Sequence, residues 1–183
     1  MSQVIEIKVE ALTDEAFAPF GQLIGPREGT PAFGGEGLRS WRLEYDAAGA
    51  TELMYIWFDH IPMTFSRIER HLNVTQGFVP LNAAEMVMVV GPRTDTSRRD
   101  EAPDPRQLRA FLVPGTHGVM MWRGVWHTLN RFPTRAPGGG FVLLTSKETQ
   151  SELEHEKREG SQPRLTHVFD YAQRDDTRFE IRI

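Results

Sequence analysis

Met63-Thr64-Phe65-Ser66-Arg67-Ile68-Glu69-Arg70-His71 is the stretch on which the fold turns. In a β-strand, residues two apart share a face. Read as one strand, this run puts Met63, Phe65, Arg67, Glu69 and His71 on one side and Ile68 and Arg70 on the other. Two apolar groups followed by a cation, a carboxylate and an imidazole describe the inner wall of a barrel with a polar mouth. Burying such a cluster costs on the order of several kcal/mol unless every group is paired. Taken alone, the run also suits a solvent-facing strand end with an ordinary Arg67–Glu69 ion pair. The rest of the chain decides between the two.

Working outward, most periodic segments alternate with period two. Ser40 to Tyr45, Thr51 to Phe58, Glu85 to Val90, Leu108 to Val113, Gly118 to Trp122 and Phe141 to Thr145 all read as strands. Gly91-Pro92, Pro114-Gly115 and the triple glycine Gly138 to Gly140 punctuate them. Short strands separated by glycine and proline predict an all-β fold, a sandwich or barrel. Helix is scarce: Thr13 caps a turn or two to Phe17, and the charged Ser146 to Glu159 is an exposed helix or an arm. Pro92 to Gln107 reads as a long polar hairpin loop. Strand character returns at His167-Val168-Phe169 and Phe179-Glu180-Ile181. No repeat or linker divides the chain, so 1–183 is expected to be one domain.

A chain of 183 residues can bury roughly two-thirds of its unfolded surface. With 39% hydrophobic and 25% charged residues it has the composition of a soluble globular protein. A formal charge of -4 supplies no basic field for nucleic acid or an anionic membrane. The absence of cysteine removes disulfides, thiolate metal sites and a cysteine nucleophile. Met1 to Ala11 lacks the apolar run of a signal peptide, and no window offers the roughly 20 apolar residues of a membrane helix. A cytoplasmic protein is expected.

A second segment gives the first its meaning. Gly124-Val125-Trp126-His127-Thr128-Leu129-Asn130 is strand-like and delivers His127 after a tight glycine. By itself His127, between Trp126 and Leu129, suits a satisfied core residue. Together with the first segment it reproduces the spacing of a cupin site, in which a His-x-His, a later Glu and a His from a distant strand surround one point. Here the series is Glu69-x-His71, then Gln76, then His127.

That variation resembles the ureidoglycolate lyase family. Ile68-Glu69-Arg70-His71 and Thr75-Gln76-Gly77-Phe78-Val79-Pro80 carry the likeness. Leu108-Arg109-Ala110-Phe111, Gly118-Val119, Val125-Trp126-His127 and the earlier Glu15-Ala16-Phe17 with Phe20-Gly21 continue it in order, over roughly residues 10 to 145. Three features depart. Leu129 stands where the family tends to have proline, a loop is shortened to Asp59-His60-Ile61-Pro62, and Leu144-Thr145-Ser146-Lys147 replaces a common Asp-Arg ending. From about residue 147 the C-terminal extension is longer and acidic.

The resemblance implies a cupin-like antiparallel β-barrel, or jelly roll, with little helix. It also implies a homodimeric carbon–nitrogen lyase that splits ureidoglycolate into urea and glyoxylate in purine and allantoin catabolism. Glu69, His71, Gln76 and His127 are the expected catalytic group, with Glu69 or His127 as base. Arg67, Arg123 and Trp126 are the expected substrate contacts, the arginines for the carboxylate. His71, His127, Gln76 and Glu69 also suit one divalent transition metal, nickel or zinc, and no organic cofactor is expected. Two rivals remain open: a barrel enzyme acting on another small hydroxy or keto acid, and a non-catalytic binder of a small acid.

Overall fold

The computed structural model describes residues 3–183. In chain order its elements begin with β1 (Gln3–Ala11), α1 (Asp14–Phe17), β2 (Gly21–Ile24), β3 (Phe33–Gly35), β4 (Leu38–Ser40) and β5 (Thr51–Asp59). Next come β6 (Thr64–Phe65), β7 (Arg67–His71), β8 (Gln76–Pro80), β9 (Met86–Gly91) and β10 (Arg109–Val113). Then follow β11 (Gly118–Met121), β12 (Trp126–Thr128), β13 (Phe132–Pro133) and β14 (Gly138–Ser146). The chain closes with α2 (Lys147–Glu159), β15 (Thr166–Asp170), α3 (Tyr171–Asp175) and β16 (Thr177–Arg182).

Two curled sheets form the wall of a cupin-like barrel. The larger runs β15-β7-β12-β9-β10-β1-β16-β6, with β13 added on β9, and the smaller runs β2-β11-β8-β14-β5. Pairing is antiparallel except at β1, which lies parallel to both β10 and β16. The N-terminal strand is therefore covered by its own C-terminus. Residues 147–183 are no detached tail, because β15 and β16 are members of the larger sheet.

The larger sheet separates two cores, and β9 shows how. Its residues are buried on both faces. Met86, Met88 and Val90 point into the barrel with Phe78, Phe111, Val119, Phe141 and Leu143. Val87 and Val89 point outward, into a second core with Ile68, Trp126, Phe132, Tyr171, Phe179 and Ile181. A strand buried on both faces reads as an unbroken apolar run, which is what Met86 to Val90 is.

Two local expectations change. The run Met63 to His71 is not one strand. It breaks at Ser66, whose carbonyl accepts the Tyr171 amide, and restarts as β7. The break resets the alternation, so Met63 and Phe65 pack in the outer core, Phe65 stacking on Phe179 at 4.6 Å. Beyond Ser40 the chain up to Asp46 has no strand pairing. It becomes a strap held at points: the Tyr45 hydroxyl donates to the Thr145 carbonyl, and the Asp46 carbonyl accepts from Thr75. Ser146 to Glu159 resolves as helix α2, capped by Ser146 and ended by Gly160 at φ 69°.

Residues 92–107 form the expected loop, with a single 3₁₀ turn at Pro105–Gln107. Arg70, on the outer face of β7 and fully buried, organises it. Its guanidinium donates to the carbonyls of Thr94, Asp95 and Arg98 and to the Thr94 hydroxyl, and it meets Nδ1 of His167. The cation also lies 4.5 Å from the centre of the Trp126 ring. Arg70→Ala should leave those acceptors buried and unpaired and cost about 2–4 kcal/mol. Urea unfolding should show that loss, and trypsin should cut the released loop after Arg98 or Arg99 at a rate the wild type does not reach.

Candidate active site

Strand pairing builds the site. β12 lies against β7 with His127 directly opposite Glu69, so both side chains leave the same face of the sheet. His71 is two residues on from Glu69 and joins them. β7 is paired on its other edge by β15, where Thr166 lies opposite His71. The wall that carries the three groups is thus hydrogen-bonded on both sides. Gly124 makes the approach possible: at φ 75° it adopts a conformation that favours glycine, and its N–H donates to the His71 carbonyl at 2.7 Å. Gln76 enters from β8 in the smaller sheet, on the same face as Phe78 in the barrel core.

The two imidazoles are buried, with ring centres 5.2 Å apart. Glu69 Oε1 is 3.9 Å from His71 Nε2 and 3.8 Å from His127 Nδ1, too far for hydrogen bonds. His71 Nδ1 is 2.9 Å from the Thr166 hydroxyl. His127 Nδ1 is 3.1 Å from the Thr128 carbonyl and 3.3 Å from Arg131 Nη2. It can donate to the first or accept from the second, not both, and the first is shorter. Nε2 of each histidine is buried without a protein partner. One ligand atom from each of Glu69, His71 and His127 lies within 4.8 Å of the others, an arrangement able to hold a metal ion. Glu69 alone keeps appreciable access to solvent, 15% of its side chain.

Burial dominates the electrostatics. It raises the Glu69 carboxyl to about 7, against the lowering pull of Arg131 and Arg67, with Glu156 adding to the rise. Burial, then Arg131, lowers His71 to about 3. Burial, Arg131 and His71 hold His127 well below its ordinary value. Arg131 is itself lowered to about 10 by burial, with Glu69 opposing, and stays charged at neutral pH. In the protein without a bound ion, two neutral imidazoles therefore flank a carboxyl that exchanges its proton near neutrality.

The structure brings Glu69, His71 and His127 together, links Gln76 to them through Arg131, and disperses the other expected contacts. Trp126 is adjacent to His127 in the strand and so points to the opposite face. It is fully buried in the outer core, its N–H donating to the Thr94 hydroxyl. Arg67 is exposed at the start of β7. Arg123 borders a surface cleft of about 590 Å³ and is ion-paired to Asp46 at 2.6 Å. The residue missed by sequence reasoning is Arg131, 1% exposed, packed beside Gln76, His127 and Phe78. It lies past the Leu129-Asn130 turn, where alternation along β12 says nothing about direction.

Comparison with known proteins points to one family. The model of the ureidoglycolate lyase family matches residues 4–159. A ureidoglycolate lyase of Azotobacter vinelandii is 37% identical over 130 residues, covering 66% of this chain and 74% of the relative. Those of Pseudomonas syringae pv. tomato and Stutzerimonas stutzeri are each 35% identical over 130 residues, covering 66% of this chain and 72% of each relative.

The buried titrating groups set a pH signature for the protein without a bound ion. Between pH 6.5 and 4.5 the unfolded chain protonates His71 and His127 while the folded site does not. Over the same window folded Glu69 holds a proton that the unfolded chain has released. The histidines thus cost stability as pH falls and Glu69 returns part of it, each proton being worth ~1.4 kcal/mol per pH unit. Among these three groups the net effect is a loss toward acid. Glu69→Gln removes the opposing proton, so urea midpoints measured across this window should fall more steeply in the variant than in wild type. A shallower fall would contradict the assignment.

Proposed function

The chain belongs to the ureidoglycolate lyase family, and we propose that it splits ureidoglycolate into urea and glyoxylate, a step of purine nitrogen catabolism. The single observation that carries the mechanism is the convergence of Glu69 with two neutral, partner-seeking imidazoles inside the barrel.

Ureidoglycolate bears a hydroxyl, a carboxylate and a urea nitrogen on one carbon. Glu69 takes the hydroxyl proton, the carbonyl of glyoxylate forms, and the carbon–nitrogen bond breaks with its electron pair going to nitrogen. That nitrogen then needs the proton. Oxygen and nitrogen share a carbon, so the carboxyl that took the proton can return it. A carboxyl at about 7 suits both directions. His127 is the poorer base because burial suppresses its charged form. Glu69 is also the site group with appreciable access to solvent.

In the alternative form of this reading, His71, His127, Glu69 and the amide oxygen of Gln76 would instead hold a divalent transition metal such as nickel or zinc. Glu69 would then be a ligand rather than the base. The two orphaned Nε2 atoms fit that use. Such a metal would polarise the substrate hydroxyl and lower its pKa. Assembly as a homodimer belongs to the same reading. Leu53, Tyr55 and Trp57 project outward from edge strand β5, 68%, 64% and 45% exposed, and an apolar edge of that kind favours cover.

Glu69→Gln keeps size and most hydrogen bonding but cannot accept a proton at neutral pH. Urea release from ureidoglycolate should fall by about 10² or more in kcat with little change in KM. Turnover near wild type in the folded variant would remove Glu69 from the mechanism. Elemental analysis of the purified protein, paired with His71→Ala, should show a bound transition metal that the variant loses.

A further inference from the structure

Two arginines are buried among the described residues, and they are satisfied very differently. Arg70 spends every guanidinium nitrogen on carbonyls, a hydroxyl and an imidazole of the fold. Arg131 does not. Its Nη1 donates to the carbonyls of Thr128 and Asn130. Its Nη2 reaches Gln76 Oε1 only at 3.5 Å and His127 Nδ1 at 3.3 Å, and its Nε is buried with no partner. No carboxylate of the described residues forms an ion pair with it. A guanidinium carries five donors in a planar fork that matches a carboxylate. One face of this fork is closed by the Phe78 ring, 4.3 Å from Cζ.

A buried cation left this way is strongly disfavoured unless something completes it. The same interior holds the two orphaned imidazole nitrogens and Glu69, so a partner that completed Arg131 would lie beside them. We propose that Arg131, with the amide of Gln76 beside it, is the subsite that receives the substrate's carboxylate and restricts the enzyme to small α-substituted carboxylic acids. The identity of that acid rests on the lyase reading, whereas the anion subsite does not. Arg67 is solvated and Arg123 is already neutralised by Asp46, so neither offers a buried, uncompensated charge.

The test uses oxamate and oxamide, which share a shape and differ in charge, with binding followed by calorimetry on the full chain. Wild type should bind oxamate and discriminate against oxamide. Arg131→Met should weaken oxamate by about 100-fold and leave oxamide unmoved. Arg131→Lys should recover part of the loss, and KM for ureidoglycolate should rise with the same ranking. Should Arg131→Met fail to fold, Gln76→Glu serves in its place: a built-in carboxylate at the guanidinium should shut oxamate out. Equal affinity of wild type for the two probes, no oxamate binding, or wild-type affinity in either variant would overturn the subsite. Oxamate discrimination that depends on Arg131, without any urea release from ureidoglycolate, would keep the subsite and sink the lyase reading. Urea release indifferent to Arg131→Met would do the reverse.

Discussion

The register between β7 and β12 is the constraint on which the site depends. With His127 opposite Glu69, the sheet itself sets the spacing of acid and imidazole, and no flexible loop intervenes. A slip of one residue would exchange both faces at once. With β12 slipped, Trp126 would enter the barrel beside Glu69, while His127 would be forced into the outer core. The apolar demand of two cores, one on each side of the sheet, therefore protects the register of the polar cluster. Stability and function are specified by the same alternation.

The two buried arginines mark the two sides of that sheet. Arg70 faces outward from β7 and converts a sixteen-residue loop, 92–107, into part of the protein's wall by donating to its carbonyls. Arg131 faces inward and is left incomplete. The contrast separates structure from function better than burial does, since both side chains are buried to the same degree. What distinguishes them is how many donors the fold consumes. Trp126 belongs with Arg70, as the ring beneath its cation and a donor to Thr94.

Much of this was legible in the sequence, and the failures share a cause. Thr51 to Phe58 forms a strand where the sequence puts it, whereas Phe141 to Thr145 is the later part of a strand that already begins at Gly138, so the triple glycine pairs with β5 instead of ending the strand. Glu69, His71 and His127 converge, with Gln76 linked through Arg131, because each lies within, or at the start of, a regular strand whose parity holds. Parity fails at interruptions. Ser66 breaks one strand into two and sends Met63 and Phe65 to the other core. Ser40 to Tyr45 alternates in sequence but finds no strand neighbour, being held through Tyr45 and Asp46 instead. Arg131 escaped for the same reason: it follows a turn, and only the return of the chain beside Gln76 shows which way it points. Trp126 neighbours His127 in the strand, and the period of two puts it on the opposite face, in the outer core.

The electrostatics of the interior tie binding to proton transfer. Arg131 is the largest influence holding the Glu69 carboxyl down against burial, and the same cation depresses both histidines. An anion seated against Arg131 cancels much of its field at short range, where the low dielectric leaves little screening. Glu69 then becomes more basic at the moment its proton acceptor role is required. A neutral ligand leaves Arg131 uncompensated and Glu69 a weaker base, so a substrate without a carboxylate would lose turnover as well as affinity. In this arrangement the charge that selects the acid also sets the proton affinity of the group that acts on it, which gives a physical reason for the barrel to keep one arginine unsatisfied.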